Sequence, residues 1–366
     1  MDETVPDIYF NSKGICKYCL MYDDIKKINN KLVSKEIFLS KLENIKKKSK
    51  KYDCIAGVSG GRDSTFLLYT LKKKLNLNPL AVHYDNGWNT DLSNRNIKNV
   101  CLKLGIDLHT SVANWKSFSL VQRSLFFASV PDVDTITELG IYKSLFEAAS
   151  LYNCEYIMTG HNIDNEFMDP LKWTYFDGRY INSICQEQGA SDAIKKISIF
   201  YLKYLIKYKL IKKIKIENVT NYFDYDHGTI AETLIKECDW TPYEGHHQES
   251  LVTKFLHEYY LPMKFKIDKR KTNYSARIRS NLMTRNDALE NLKINTYEKF
   301  DKNSIDFVLK KLNITSQEFE NIMNKKNKNF LDYKSYYPYF SFFSPIIKIM
   351  CRLNLLNPYL YHKYKM

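Results

Sequence analysis

The sequence predicts an α/β fold: a parallel sheet with helices on both faces, then a mostly helical C-terminal region. Three observations carry it. Short apolar runs of strand length alternate with helical stretches between residues 52 and 159, the pattern of successive βαβ units. Polar residues stand at the ends of three of these runs, where open parallel sheets place their ligands. After about residue 170 the alternation stops, and helical stretches take over.

The elements follow in order. Residues 1–30 form a leader containing Cys16-Lys17-Tyr18-Cys19, and residues 31–50 read as a basic helix feeding the first strand. Tyr52–Val58 is a buried strand, and Thr65–Leu71 an apolar helical run. Leu80–Tyr84, Asp107–Val112 and Glu155–Thr159 are three further strands, interleaved with helices over Ser93–Leu104, 114–128 and 138–153. Residues 31–170 thus form the sheet domain, and 171–300 a mostly helical substrate region, with 188–216 read as helical. Residues 301–366 form a helical, then aromatic and basic, tail. Pro338, Pro345 and Pro358 interrupt that tail. It is either a segment docked on its own core or a partner, or one that lies on a membrane surface.

Between the first strand and its helix lies Ser59-Gly60-Gly61-Arg62-Asp63-Ser64. A strand that ends in a glycine loop and opens a helix is an anion site. Glycines let the backbone approach a phosphate, and first-turn N–H groups have no intrahelical partner. A plain Ser-Gly-Gly turn capped by Asp63 is the simpler alternative. Two more strand ends join it: His83-Tyr84-Asp85-Asn86-Gly87, also readable as a turn, and Gly160-His161-Asn162, also readable as a helix entry.

Composition narrows the setting. At 44% hydrophobic over 366 residues the chain is globular. The eight cysteines mostly stand singly within apolar runs, which suits reduced thiols in the cytoplasm. The N-terminus lacks the apolar region of a signal peptide, and no run reaches the roughly 18 apolar residues of a transmembrane helix. The net charge of +14 suits nucleic acid or an enzyme of ATP and pyrophosphate equally well.

The Ser59–Ser64 loop resembles the PP-loop of the ATP pyrophosphatases, which cleave ATP between the α and β phosphates and adenylate an oxygen of their substrate. Behind it come Asp226-His227-Gly228, Cys238-Asp239-Trp240, Tyr243–Ser250, Tyr260-Leu261-Pro262-Met263-Lys264-Phe265, Asp268-Lys269-Arg270-Lys271 and Met283–Leu289. This succession resembles the N-acetyl sugar amidotransferases of bacterial surface-polysaccharide and flagellin-glycan biosynthesis.

That resemblance implies ATP and Mg²⁺, an N-acetyl sugar that is free or nucleotide-linked, and conversion of its acetamido group to an acetamidino group. Ser59, Gly60, Gly61, Arg62, Asp63 and Ser64 would hold the phosphates, and Asp63 the magnesium. His83, Asp85, Gly160, His161 and Asn162 would frame adenosine and the α-phosphate. Lys269 and Arg270 are candidates for pyrophosphate or a sugar carboxylate, and His247 and Glu249 for sugar hydroxyls or protons.

No cysteine stands in a nucleophile setting. The resemblance therefore implies ammonia from a separate glutaminase subunit, a cyclase-like companion as a further candidate partner, and no nucleic acid. The family carries two Cys-x-x-Cys pairs at its N-terminus, whereas this chain has only Cys16 and Cys19. A structural zinc needs four ligands, so the other pair is expected upstream. The rivals are a PP-loop tRNA-modifying enzyme and a non-enzymatic nucleotide-binding subunit.

Overall fold

The computed structural model describes residues 1–32, 35–48, 51–164, 167–197, 199–223, 227–243 and 248–352. Five parallel strands form one sheet: β1 (Cys54–Gly57), β2 (Pro79–Asp85), β3 (Leu108–Val112), β4 (Tyr156–Thr159) and β5 (Lys215–Asn218). Their order is β3-β2-β1-β4-β5. The chain winds outward from β1 in one direction, then returns to β1's other side with β4. The strand order therefore reverses between β1 and β4, and a crevice opens there beyond the carboxyl ends.

The period-2 alternation of side chains assigns the two faces. Cys54 and Ala56 of β1, Ala81 of β2 and Met158 of β4 share one core with α2 (Lys35–Lys48), α3 (Arg62–Tyr69), α4 (Asp91–Leu104) and the later helix His227–Cys238. Ile55, Leu80, Val82 and Ile157 point the other way, onto Leu145, Phe146 and Ala149 of α6 (Thr135–Leu151). A third core joins α1 (Lys17–Leu32) and α5 (Trp115–Ala128) to buried residues of the second half, among them Val252, Phe255, Tyr260 and Phe330. Burying a Leu or Phe stabilises by about 1.5–3 kcal/mol. Phe66, Leu67 and Leu68 are fully or nearly fully buried, so packing rather than helix propensity fixes the short α3 behind the loop.

Caps explain where the helices begin. Thr90 accepts from the Ser93 N–H and starts α4 two residues before the expected Ser93, and Gly105 ends it in the left-handed region. Asn114 caps α5 in the same way through Ser117.

Residues 188–216 are only partly the helical stretch expected. They hold a short helix at Ser191–Lys195, then Leu202–Leu205 running into a π-helical stretch, Ile206–Ile211, then β5. Lys213 at φ 56° breaks the helix. The alternation therefore continues for one strand beyond β4. β5 escaped the sequence pattern because Lys-Ile-Glu-Asn is a half-exposed edge strand without an apolar run.

The rest is helical, chiefly His227–Cys238, Leu251–Phe255 with a π-helical continuation to Phe265, Arg270–Arg279, Arg285–Leu292, Lys302–Lys311 and Ser316–Asn324. Among the described residues no helix is long and apolar enough to cross a membrane.

Candidate functional site

The Ser59–Ser64 loop leaves β1 and enters α3 at the reversal of strand order. Ser59 and Ser64 hydroxyls lie 3.2 Å apart, and Ser64 Oγ also accepts from the Ser59 N–H. The Gly61 N–H donates to Ser59 Oγ at 3.3 Å. Gly60 sits at φ 80°, and a Cβ there would come within 2.5 Å of the Ser93 backbone carbonyl. At Gly61 a Cβ would run into the Glu249 carboxylate. The missing side chains thus admit the Ser93 carbonyl at Gly60 and the Glu249 carboxylate at Gly61, directly before the N-terminus of α3, where anions are favoured.

A second layer of donors fixes the loop. The Gly60 carbonyl accepts from Trp240 Nε1 at 2.9 Å, Tyr243 Oη at 3.3 Å and Asn96 Nδ2 at 3.3 Å. Ser93 Oγ donates to the Ser59 carbonyl at 2.8 Å. Asn96 is itself locked to Thr241 by a reciprocal pair of hydrogen bonds. Sequence reasoning singled out none of these as site residues. The available signal was Ser93 and Asn96, two polar residues three apart on the buried face of an amphipathic helix.

At the end of β2, His83 is buried and uses both ring nitrogens. Nδ1 meets the Val58 carbonyl at 2.9 Å, and Nε2 meets Asn89 Nδ2 at 2.7 Å. Burial lowers its pKa, and the two contacts suit a neutral ring with Nδ1–H donating to the Val58 carbonyl and Nε2 accepting from Asn89. Asp85 accepts from the Gly87 N–H, and Asn86 from the Trp88 N–H, giving the tight turn. The second half returns here: Ser250 bridges to Asn89, Thr90 N–H donates to the Glu249 carbonyl, and Leu251 N–H to Trp88. This pairing brings Glu249 onto the loop.

At the end of β4, Gly160 packs so tightly on α3 that a Cβ would lie 2.8 Å from the Asp63 carbonyl. Thr220 Oγ1 lies 3.1 Å from both the Gly160 and His161 carbonyls. Asn162 is buried and donates to the Thr220 carbonyl. His161 is exposed.

The remaining candidates are arranged differently. Lys269 Nζ is held by Asp169 at 2.5 Å and Thr174 at 2.6 Å. Arg270 pairs with Asp268 at 2.7 Å and donates to the Asn291 carbonyl. Both cations are thus engaged by the protein itself. His247 lies outside the described residues.

The same helix supplies a cation that sequence reasoning missed. Arg277 on Arg270–Arg279 has a buried Nε without a hydrogen-bond partner. Burial, and then the charge of Arg62 nearby, lowers its pKa. Among the described residues no carboxylate pairs with it. Arg62 itself donates from Nε to the Asp63 carboxylate at 3.3 Å, so the guanidinium that Arg277 faces at the loop is already paired there. Several contacts hold this helix. The Met1 amine donates to Ser275 Oγ at 2.9 Å, Lys271 pairs with Asp2, and Ser280, Tyr22 and Lys26 converge on Asp164.

Cys16 and Cys19 share a hydrogen bond at 3.4 Å that pulls Cys16 down to about 5 and pushes Cys19 up. Among the described residues no three His, Cys, Asp or Glu side chains gather as a metal site. Two thiols alone do not close a zinc site, so no step is assigned to zinc.

Residues 249–346 match the family described as LPS biosynthesis protein WbpG-like, C-terminal domain. This stretch is WbpG-like. The match agrees with the surface-glycan family that the sequence resembles, and the WbpG-like segment begins at Glu249, the residue that touches the loop.

An uncharacterized protein of Methanocaldococcus jannaschii is 31% identical over 156 residues, covering 43% of this chain and 54% of that relative. The chain thus spans about half the length of the curated relative it matches. Looser structural similarities include an NH3-dependent NAD synthetase from Campylobacter jejuni (14% identity, 58% of this chain and 93% of that one, TM-score 0.28). Another is the U34-tRNA thiolase NcsA of Methanococcus maripaludis with its [4Fe-4S] cluster (13%, 90% and 91%, TM-score 0.32).

Proposed function

We propose that the chain is an ATP-dependent amidotransferase that adenylates the acetamido oxygen of an N-acetyl sugar. Ammonia then adds at the imidate carbon and AMP departs, leaving an acetamidino sugar for O-antigen or flagellin glycan. An amide oxygen is a poor leaving group, and bonding it to the α-phosphate makes it a good one. The observation that carries the reading is the union of two features: a glycine phosphate cradle at the strand reversal, and a WbpG-like segment whose first residue lies on that cradle.

The chain's own residues orient reactants and place charge. The loop backbone and the Ser59 and Ser64 hydroxyls would hold phosphate oxygens. Arg62 and Arg277 would neutralise the departing pyrophosphate. Magnesium takes one or two carboxylates together with substrate phosphates, and Asp63 and Glu249 fit that donor chemistry. When bound, the ion would offset charge on the leaving pyrophosphate. His83 holds the ends of β1 and β2 together through Val58 and Asn89, as a positioning residue. Ammonia would come from a separate glutaminase subunit, with a cyclase-like companion as a further partner, in the cytoplasm.

The test is AMP and pyrophosphate formation from ATP, Mg²⁺, ammonium and N-acetyl sugars. Asp63→Ala should abolish AMP formation, and full activity in that variant would remove Asp63 from the mechanism. The net charge of +14 favours one other reading, a tRNA-modifying enzyme. Salt-sensitive tRNA binding without any response to acetamido sugars would select it.

A further inference from the structure

Two segments of the second half share an unusual composition. Residues 201–215 carry Lys203, Lys207, Lys209, Lys212, Lys213 and Lys215 without one acidic residue. Residues 333–352 carry Lys334, Lys348 and Arg352, again without an Asp or Glu. In a chain with 41 acidic residues, two such stretches mark a surface selected for one sign of charge.

The same segments expose large apolar side chains. Leu210 and Ile211 are each 71% exposed, and Ile206 is 50% exposed. In the tail, helices Tyr337–Phe342 and Ser344–Arg352 run almost end to end, joined by Phe343 N–H to the Tyr339 carbonyl and Ile347 N–H to the Phe343 carbonyl. Tyr339, Phe342, Ile346 and Ile349 follow one another three or four residues apart and form a single ridge. All four are more than half exposed, Phe342 at 78%. The opposite side is anchored, with Ile347 and Cys351 buried and Tyr337 packed edge-on against Phe330.

The two segments meet at one place in the fold. The Tyr201 ring lies against Gly178, while the Tyr336 and Tyr339 rings flank the neighbouring Arg179. Both are therefore rooted at the start of the helix Gly178–Glu187.

We propose that these segments form one docking surface for an anionic lipid bilayer. The aromatic and aliphatic ridge would enter the headgroup boundary while lysines reach the phosphates beside it. Lysine stems are long enough to let the apolar residues sink while the charge stays at the surface. Such a surface would hold the enzyme beside the membrane without a spanning helix, and it does not depend on the reaction proposed above.

The test is co-sedimentation of the full chain with phosphatidylglycerol-containing vesicles and with pure phosphatidylcholine vesicles. The expected result is binding to the anionic vesicles alone, weakened by added salt. The triple substitution F342S/I346S/I349S should weaken that binding by ~10-fold or more, and so should L210S/I211S. These side chains are exposed, so unchanged circular dichroism and melting verify the fold of each variant. The charge variant K207E/K212E supplies an independent arm and should weaken binding in the same direction. Failure of the parent chain to bind anionic vesicles at low salt overturns the proposal, as does equal binding by parent and variants. Saturable tRNA binding or self-association that is lost in the same variants, without vesicle binding, also overturns it and assigns the surface to that occupant.

Discussion

Replacing Gly60 by alanine tests whether the loop's shape is as constrained as its contacts indicate. Gly60 adopts φ 80°, where a side-chain-bearing residue pays roughly 1–2 kcal/mol. Its new Cβ would also lie 2.5 Å from the Ser93 carbonyl, a backbone atom that cannot rotate away. Relief requires the loop and the start of α4 to separate, loosening Ser93 Oγ to Ser59 and the bonds that Trp240, Tyr243 and Asn96 make to the Gly60 carbonyl. Each such bond contributes about 1 kcal/mol. Strain plus one or two weakened bonds comes to about 3 kcal/mol, a large share of an ordinary stability of about 5–15 kcal/mol.

Gly61→Ala gives the contrast. Its Cβ meets only the far end of the flexible Glu249 side chain, which can swing aside. Stability should change by less than about 1 kcal/mol, while the added methyl fills the phosphate cradle and stops pyrophosphate release. Urea titration measures stability, and a coupled pyrophosphate assay measures turnover. A Gly60→Ala protein as stable as the parent, or a Gly61→Ala protein equally destabilised, would refute the reasoning.

Further expectations follow from single contacts. Trp240→Phe keeps the ring but loses the donor to Gly60, so stability should fall by about 1 kcal/mol and the KM for ATP should rise, measured by melts and initial rates. Arg277→Ala should weaken pyrophosphate inhibition by ~10-fold or more, with Arg277→Lys partly restoring it; inhibition unchanged in the alanine variant would remove Arg277 from the phosphate site. Asp132 is buried against Tyr180 Oη and the Tyr175 N–H, and burial raises it to about 6. Its folded pKa exceeds the unfolded value of about 3.9, so its contribution is present below that pH and lost as pH rises through about 6. The stability difference between parent and Asp132→Asn should therefore shift by about 2–3 kcal/mol between pH 3.5 and 7, to the parent's disadvantage at the higher pH.

Much of the sheet was legible because β1, β2 and β4 are buried on both faces and read as continuous apolar runs. Their ends, Ser59–Ser64, His83–Gly87 and Gly160–Asn162, were legible for the same reason. β5 was not, because a half-exposed edge strand of Lys215, Ile216, Glu217 and Asn218 carries no such run. The donors to Gly60 were hidden for another reason: Trp240 and Tyr243 lie 180 and 183 residues away in the chain. No local pattern announces a long-range hydrogen bond. Arg277 is marked by its buried, unpartnered Nε near Arg62, which sequence cannot show. Conversely, Lys269 and Arg270 were conspicuous as a basic pair, yet Asp169, Thr174 and Asp268 engage them.

The central claim is that the loop's ATP chemistry is spent on a sugar amide. The most direct measurement incubates the protein with ATP, Mg²⁺, ammonium and a panel of N-acetyl sugars and nucleotide sugars, followed by mass spectrometry. The account predicts one sugar that gains a positive charge and shifts in mass by the exchange of O for NH, with one AMP and one pyrophosphate formed per product. ADP and phosphate in place of AMP and pyrophosphate, or AMP formation that depends on tRNA and ignores every acetamido sugar, would contradict it.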